Sequence, residues 1–157
     1  MARNTRAASN FTQPIKSDGT FPSDTGSLGR STYALATGGT YYVEIPATDT
    51  ATLLSTQIRW GAALAATITI ESTNLAEKDA PLKSTDATLW LQENPTTSGI
   101  TVTGAGNSIT NLTVTAGGTN AGAVLLDLGN IAAARLRIKF ANITTGGDMQ
   151  VSSMSKP

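Results

Sequence analysis

The chain contains neither cysteine nor histidine. Without cysteine there is no disulfide, no thiolate metal site and no thiol nucleophile. Without histidine the commonest general base is missing, and a Ser-His-Asp triad is excluded. Charge is scarce too: 14% of the 157 residues are charged, and the formal net charge is zero. Gripping nucleic acid through its phosphates calls for a basic excess, so no nucleic-acid partner is expected. No apolar run approaches the length of a membrane span, so no membrane partner is expected either. The opening Met-Ala-Arg-Asn-Thr-Arg has two cations with no apolar segment behind them, and does not read as a signal peptide.

What is abundant is Thr, Ala, Gly, Ser and Asn, with 39% apolar residues overall. That composition suits a β-rich protein with many turns. The length suits one domain with a core of its own. Residues 1–30 are punctuated by Pro14, Gly19, Pro22, Gly26 and Gly29 and hold few apolar anchors. This segment cannot close a core. It reads either as a frayed terminus or as an extended N-terminal arm lying on a neighbouring subunit, anchored by Phe11, Ile15 and Phe21. Residues 31–157 read as the folded domain.

Period-two alternation marks the strands. Tyr41, Val43 and Ile45 alternate with polar neighbours over residues 40–45. Ile58 and Trp60 share one face, and Ile68 and Ile70 share another, so residues 57–74 read as two strands and a turn, the centre of the core. Residues 74–86 form the one charge-dense stretch, a long loop. Residues 87–92 read as a short strand carrying Trp90. Residues 99–103 and 109–116 read as a hairpin across Gly104-Ala105-Gly106-Asn107. Val124, Leu126 and Leu128 share a face of the next strand. Over residues 135–141, Leu136, Ile138 and Phe140 alternate with Arg135, Arg137 and Lys139. Three cations on one strand face suggest either an edge guarded against stray pairing or a polar contact strip. A last strand follows at residues 148–153. Eight or nine strands with Gly-rich turns and no convincing helix predict an all-β fold: a two-sheet antiparallel β-sandwich of jelly-roll type.

Catalytic apparatus is hard to assemble from what remains. The carboxylates are scattered, and only Glu71 and Asp127, both on strands, offer a pair that could converge. Glu77, Asp79 and Asp86 lack any recognised calcium-loop spacing. Gly104-Ala105-Gly106 lacks the lysine and the helix of a phosphate loop. No enzyme activity, metal or cofactor is expected. Trp60 is in phase with Ile58 and reads as core. Trp90 is out of phase with Leu89 and Leu91, which makes it an interface candidate, unless Leu89 and Leu91 are the exposed pair. An exposed Trp60 or Trp90 would instead suggest a carbohydrate-binding module.

Ile58-Arg59-Trp60-Gly61, the run from Ala66 to Asn74 ending Glu-Ser-Thr-Asn, the charged loop, Trp90, and the late Leu136-Arg137-Ile138-Lys139-Phe140 resemble small structural proteins of tailed bacteriophages. The resemblance spans residues 40–153. It implies a capsid cement, or decoration, protein of jelly-roll type on the virion surface, made in the host cytoplasm. The implied partners are the major capsid protein and further copies of the chain, as homodimer or homotrimer. A tail or head-fibre-base protein is the alternative within the same particle. The arm anchors and the strip Arg135, Arg137 and Lys139, with Trp90, are the candidate contact residues.

Overall fold

The architecture was taken from a computed structural model, which describes residues 8–45, 53–93, 96–102, 108–110, 113–115, 121–128, 131 and 133–156. Thirteen strands and no helix occur among them. In chain order these are β1 (Ala8–Phe11), β2 (Ile15–Lys16), β3 (Tyr33–Leu35), β4 (Tyr41–Ile45), β5 (Leu53–Trp60), β6 (Ala65–Thr73), β7 (Leu91–Gln92), β8 (Thr96–Val102), β9 (Ser108–Thr110), β10 (Thr113–Thr115), β11 (Gly122–Asp127), β12 (Arg135–Thr145) and β13 (Gly147–Lys156).

They form two antiparallel sheets. Sheet A runs β1-β13-β5-β11-β8, with β3 also paired to β13; sheet B runs β2-β4-β12-β6-β10-β9, with β7 also paired to β6. One inner face of each sheet builds the core. Ile58, Trp60, Val124, Leu126, Met149 and Val151 from sheet A meet Val43, Ile68, Ile70, Leu136, Ile138 and Phe140 from sheet B. The alternation read from the sequence is the reason: each of these strands turns every second side chain toward the core. The core is not wholly apolar. Thr56 and Ser153, directly opposite each other on β5 and β13, are buried and hydrogen-bond through their hydroxyls. Trp60 packs flat on Gly122, its partner in the neighbouring strand. A Cβ at Gly122 would sit 2.4 Å from the indole, so only glycine fits there.

Several sequence expectations change. Residues 57–74 are not a hairpin: β5 belongs to sheet A and β6 to sheet B. The turn between them crosses the sandwich, so Ile58 and Trp60 line one wall of the core and Ile68 and Ile70 the other. The hairpin expected from residues 99–103 and 109–116 does not form either. β8 pairs with β11, while β9 pairs with β10 in the other sheet; the turn at residues 104–107 lies outside the described residues. Alternation reports which residues share a face. It is silent on which strand they pair with.

Residues 8–30 do not hang free of the domain. β1 pairs along β13 in sheet A, and β2 pairs with β4 in sheet B. Pro14, between them, is buried. Further on, Arg59 Nη1 donates to the Leu28 carbonyl (2.8 Å) and Gln150 Nε2 to that of Arg30 (2.7 Å). Ser27 Oγ and Thr25 Oγ1 donate to the Asp148 carboxylate at 2.5 and 3.1 Å. The segment has no core of its own, as its composition implied, and borrows the edges of both sheets.

Candidate functional site

The outer face of sheet B carries the most unusual chemistry in the molecule. β12 is a central strand, flanked by β4 and β6. The edge-guard explanation for its cations therefore fails. Arg135, Arg137 and Lys139 do point away from the core, as the alternation required, yet they do not form an open strip. Residues 74–90, the connection from β6 to β7, fold down over them as a strap.

Arg137 is 2% exposed. Its guanidinium plane lies between the Tyr42 ring, 4.2 Å away, and the Trp90 ring, 4.4 Å away. All three nitrogens on the edge of the plane are engaged. Nε donates to Glu71 Oε2 at 2.6 Å, and Nη2 lies 2.6 Å from the same oxygen. Nη1 donates to the Leu82 and Ser84 carbonyls of the strap at 2.6 and 2.9 Å. A planar cation with donors on its rim and two stackable faces suits such a slot, and lysine would not. Burial pulls the Arg137 pKa below its usual value, and the Glu71 carboxylate works against that shift.

Arg135 does the same at the neighbouring position. It donates to Glu44 Oε1 (3.2 Å), to the Ala80 carbonyl (2.7 Å) and to Glu77, and its guanidinium lies 4.9 Å from the Trp90 ring centroid. Lys139 sits at the margin, 4.0 Å from Glu71 Oε1. The strap is therefore held by its main-chain carbonyls: those of Ala80, Leu82 and Ser84 by arginines, and that of Pro81 by Trp90 Nε1 at 3.1 Å. It reaches this shape through successive turns. Asp86 caps one of them, accepting from the amide and hydroxyl of Thr88, as Asx turns do. Those bonds hold the Asp86 pKa below the usual carboxylate value.

Trp90 is thus not on a strand and not at the surface. It closes the strap and is 2% exposed, whereas Leu91 beside it is 60% exposed. Of the arm residues, Ile15 lies opposite Tyr42 at the strap's side of sheet B and is half-buried. Phe11 ends β1 opposite Ser152, and Phe21 is 60% exposed. Glu71 and Asp127 stand on different sheets and form no pair. Among the described residues, no group of three or more acidic side chains is placed to hold a metal ion.

A cleft of about 300 Å³ opens where the strap leaves β6 and rejoins at β7. It is lined by Ser72, Thr73, Asn74, Leu75, Thr88, Leu89, Leu91, Glu93 and Ala133. Ser72 Oγ donates to Glu93 Oε1 at 2.5 Å across its floor. Leu75, 40% exposed, stands with Leu91 at its mouth. Sequence reading passed over this cleft except for naming Leu89 and Leu91 as a possible exposed pair. The stronger signal was there: four leucines within residues 74–91, at positions that no strand's inner face claims, three of which line the cleft. No family model, curated protein or solved structure matches this chain.

Proposed function

We propose that this chain is a non-enzymatic structural protein of a tailed-bacteriophage virion, a cement protein that binds the expanded capsid and bridges neighbouring major capsid proteins. It acts as a homodimer or homotrimer on the capsid surface. The observation that carries the reading is the order of the strands, taken with the resemblance in residues 40–153. In sheet A, β1-β13-β5-β11 are neighbours; in sheet B, β4-β12-β6-β10 are. Counting β1, β4, β5, β6, β10, β11, β12 and β13 as strands one to eight, these orders are 1-8-3-6 and 2-7-4-5. This supports a jelly roll, an architecture that recurs in viral capsid and lectin domains. β2, β3, β7, β8 and β9 extend its margins.

The mechanism is adhesive. The exposed leucines at the mouth of the cleft support a surface that a partner covers, and covered interface must be lost again before the shell opens. That raises kinetic stability. Deletion of residues 1–30 is a poor test, since it removes strands from both sheets. Purified protein should instead be mixed with expanded, undecorated heads of the phage that encodes it. The expected outcome is saturable co-sedimentation and head opening at a higher temperature; heads that neither bind the protein nor gain stability sink the proposal. A tail or head-fibre-base position keeps the particle but changes the copy number, hundreds per virion for cement against a few to dozens for a tail part. A sugar platform finds no support, because Trp60 and Trp90 are both buried.

A further inference from the structure

The cleft beside the strap restricts what can fill it. Its volume of about 300 Å³ lies at the lower end of the ~300–1,000 Å³ typical of small-ligand sites. Leu75, Leu89 and Leu91 supply its apolar wall. Among the described residues that line it, Glu93 is the one charged residue, and none is a lysine or arginine. The Asp86 carboxylate caps Thr88 of the same wall and stands in solvent. The nearby Arg135 is already engaged by Glu44 and Glu77. The mouth is therefore apolar and negatively charged, which favours an apolar group with a cation beside it.

Leu75 and Leu91 add a second restriction. They flank the cleft as exposed shoulders. A small molecule seated inside would leave both wet, whereas a chain crossing the mouth would cover both and lose their contact with water. We propose that this cleft docks an extended segment of a partner protein, carrying a leucine-sized aliphatic side chain next to a lysine or arginine. The proposal rests on the adhesive reading above and names the part of the surface that adheres.

The test uses the full chain, methyl-labelled at leucine, and three acetylated and amidated peptides: Ser-Gly-Leu-Lys-Gly-Ser, Ser-Gly-Leu-Glu-Gly-Ser and Ser-Gly-Ser-Lys-Gly-Ser. The first should shift the methyl signals of Leu75, Leu89 and Leu91 saturably. The second should bind about two- to fivefold more weakly, the range expected of a solvent-exposed charge contact, and Glu93→Gln should narrow that gap. The third should give no saturable shift. The proposal is overturned if the first peptide leaves the cleft methyls unmoved, or if the two leucine peptides bind equally. On undecorated heads, Leu91→Asp should weaken binding by about tenfold or more, as for a hot-spot residue, with an unchanged urea midpoint because Leu91 is exposed. Equal binding by wild type and Leu91→Asp also overturns it. Wild-type protein that ignores the heads overturns the virion reading instead, and the peptide titration still decides the cleft.

Discussion

The outer faces of the two sheets are covered to different extents. On sheet B, the middle strand presents Arg135, Arg137 and Lys139, and a strap folds over them. On sheet A, the middle strands β5 and β13 present Ser55, Gln57, Ser152 and Met154 beside Leu125 of β11, and Gln57 and Met154 stay exposed. Short hydroxyls offer a loop carbonyl little to bond to at a distance. A guanidinium offers five donors on a long stem and a face for stacking. The one arginine described on sheet A makes the same point. Arg59 rises from β5, is held by Gln150 Oε1 at 3.0 Å, and captures the Leu28 carbonyl. On both faces a loop is anchored where an arginine leaves the sheet. Among the described residues, what sheet B adds is a largely covered carboxylate and two aromatic rings, and these turn an anchor into a closed layer.

That difference should appear as a ranking of stabilities. Arg137→Met is expected to do the most damage. It leaves Glu71 and the Leu82 and Ser84 carbonyls without their donor, and breaking one side of a buried pair costs about 3–5 kcal/mol. Urea unfolding reads this directly. A loss under about 0.5 kcal/mol, the level of an ordinary surface change, would mean that the strap is a dispensable loop.

Arg59→Ala should cost about 1 kcal/mol, the net worth of an ordinary hydrogen bond, because its site is only half-buried and, among the described residues, no ring stacks on it. An effect as large as that of Arg137→Met would erase the distinction between the faces.

Tyr42→Phe should have the smallest effect at neutral pH, within about 0.5 kcal/mol. The Tyr42 hydroxyl is buried without a hydrogen-bond partner, so nothing is broken. Its influence emerges in alkali. Burial raises the Tyr42 pKa above 10.0, opposed by Arg137 and assisted by Glu71. The folded state then holds the phenolic proton more tightly than the unfolded state does. This contribution to stability is complete below pH 10.0 and is lost as pH rises through the folded value. The wild type should therefore lose more stability above that pH than Tyr42→Phe, and matching pH profiles for the two would count against the buried-phenol account.

The sheets were legible because half-buried strands alternate. Val43, Ile58, Ile68, Ile70, Leu136, Ile138 and Phe140 were all read as inward-facing, and all are buried. The strands β1, β2 and β3 were missed because they are short and make their living as edges, paired through the backbone with little apolar signal. The candidate site was less legible. Alternation placed Arg135, Arg137 and Lys139 correctly away from the core, and three cations in a row then read as an exposed strip. Their cover comes from residues 74–90, whose charge and turns looked like a solvated loop. Trp90 is the residue that joins the two: it bonds Pro81 within the strap, and the guanidiniums it covers, those of Arg135 and Arg137 in β12, lie more than forty positions away.

By itself the sequence determined an all-β chain, the inner faces of β4, β5, β6, β11 and β12, and the absence of cysteine and histidine chemistry. Those follow from residue type and a period of two, which are local. The tertiary structure decided that residues 57–74 cross the sandwich instead of folding into a hairpin, that residues 8–30 complete both sheets, and that the cationic strand lies beneath a strap with a cleft at its foot. Each depends on which distant segment supplies the partner for a strand edge or a guanidinium. A carbonyl at Leu82 or Ser84 is chemically the same as any other until the fold brings Arg137 to it.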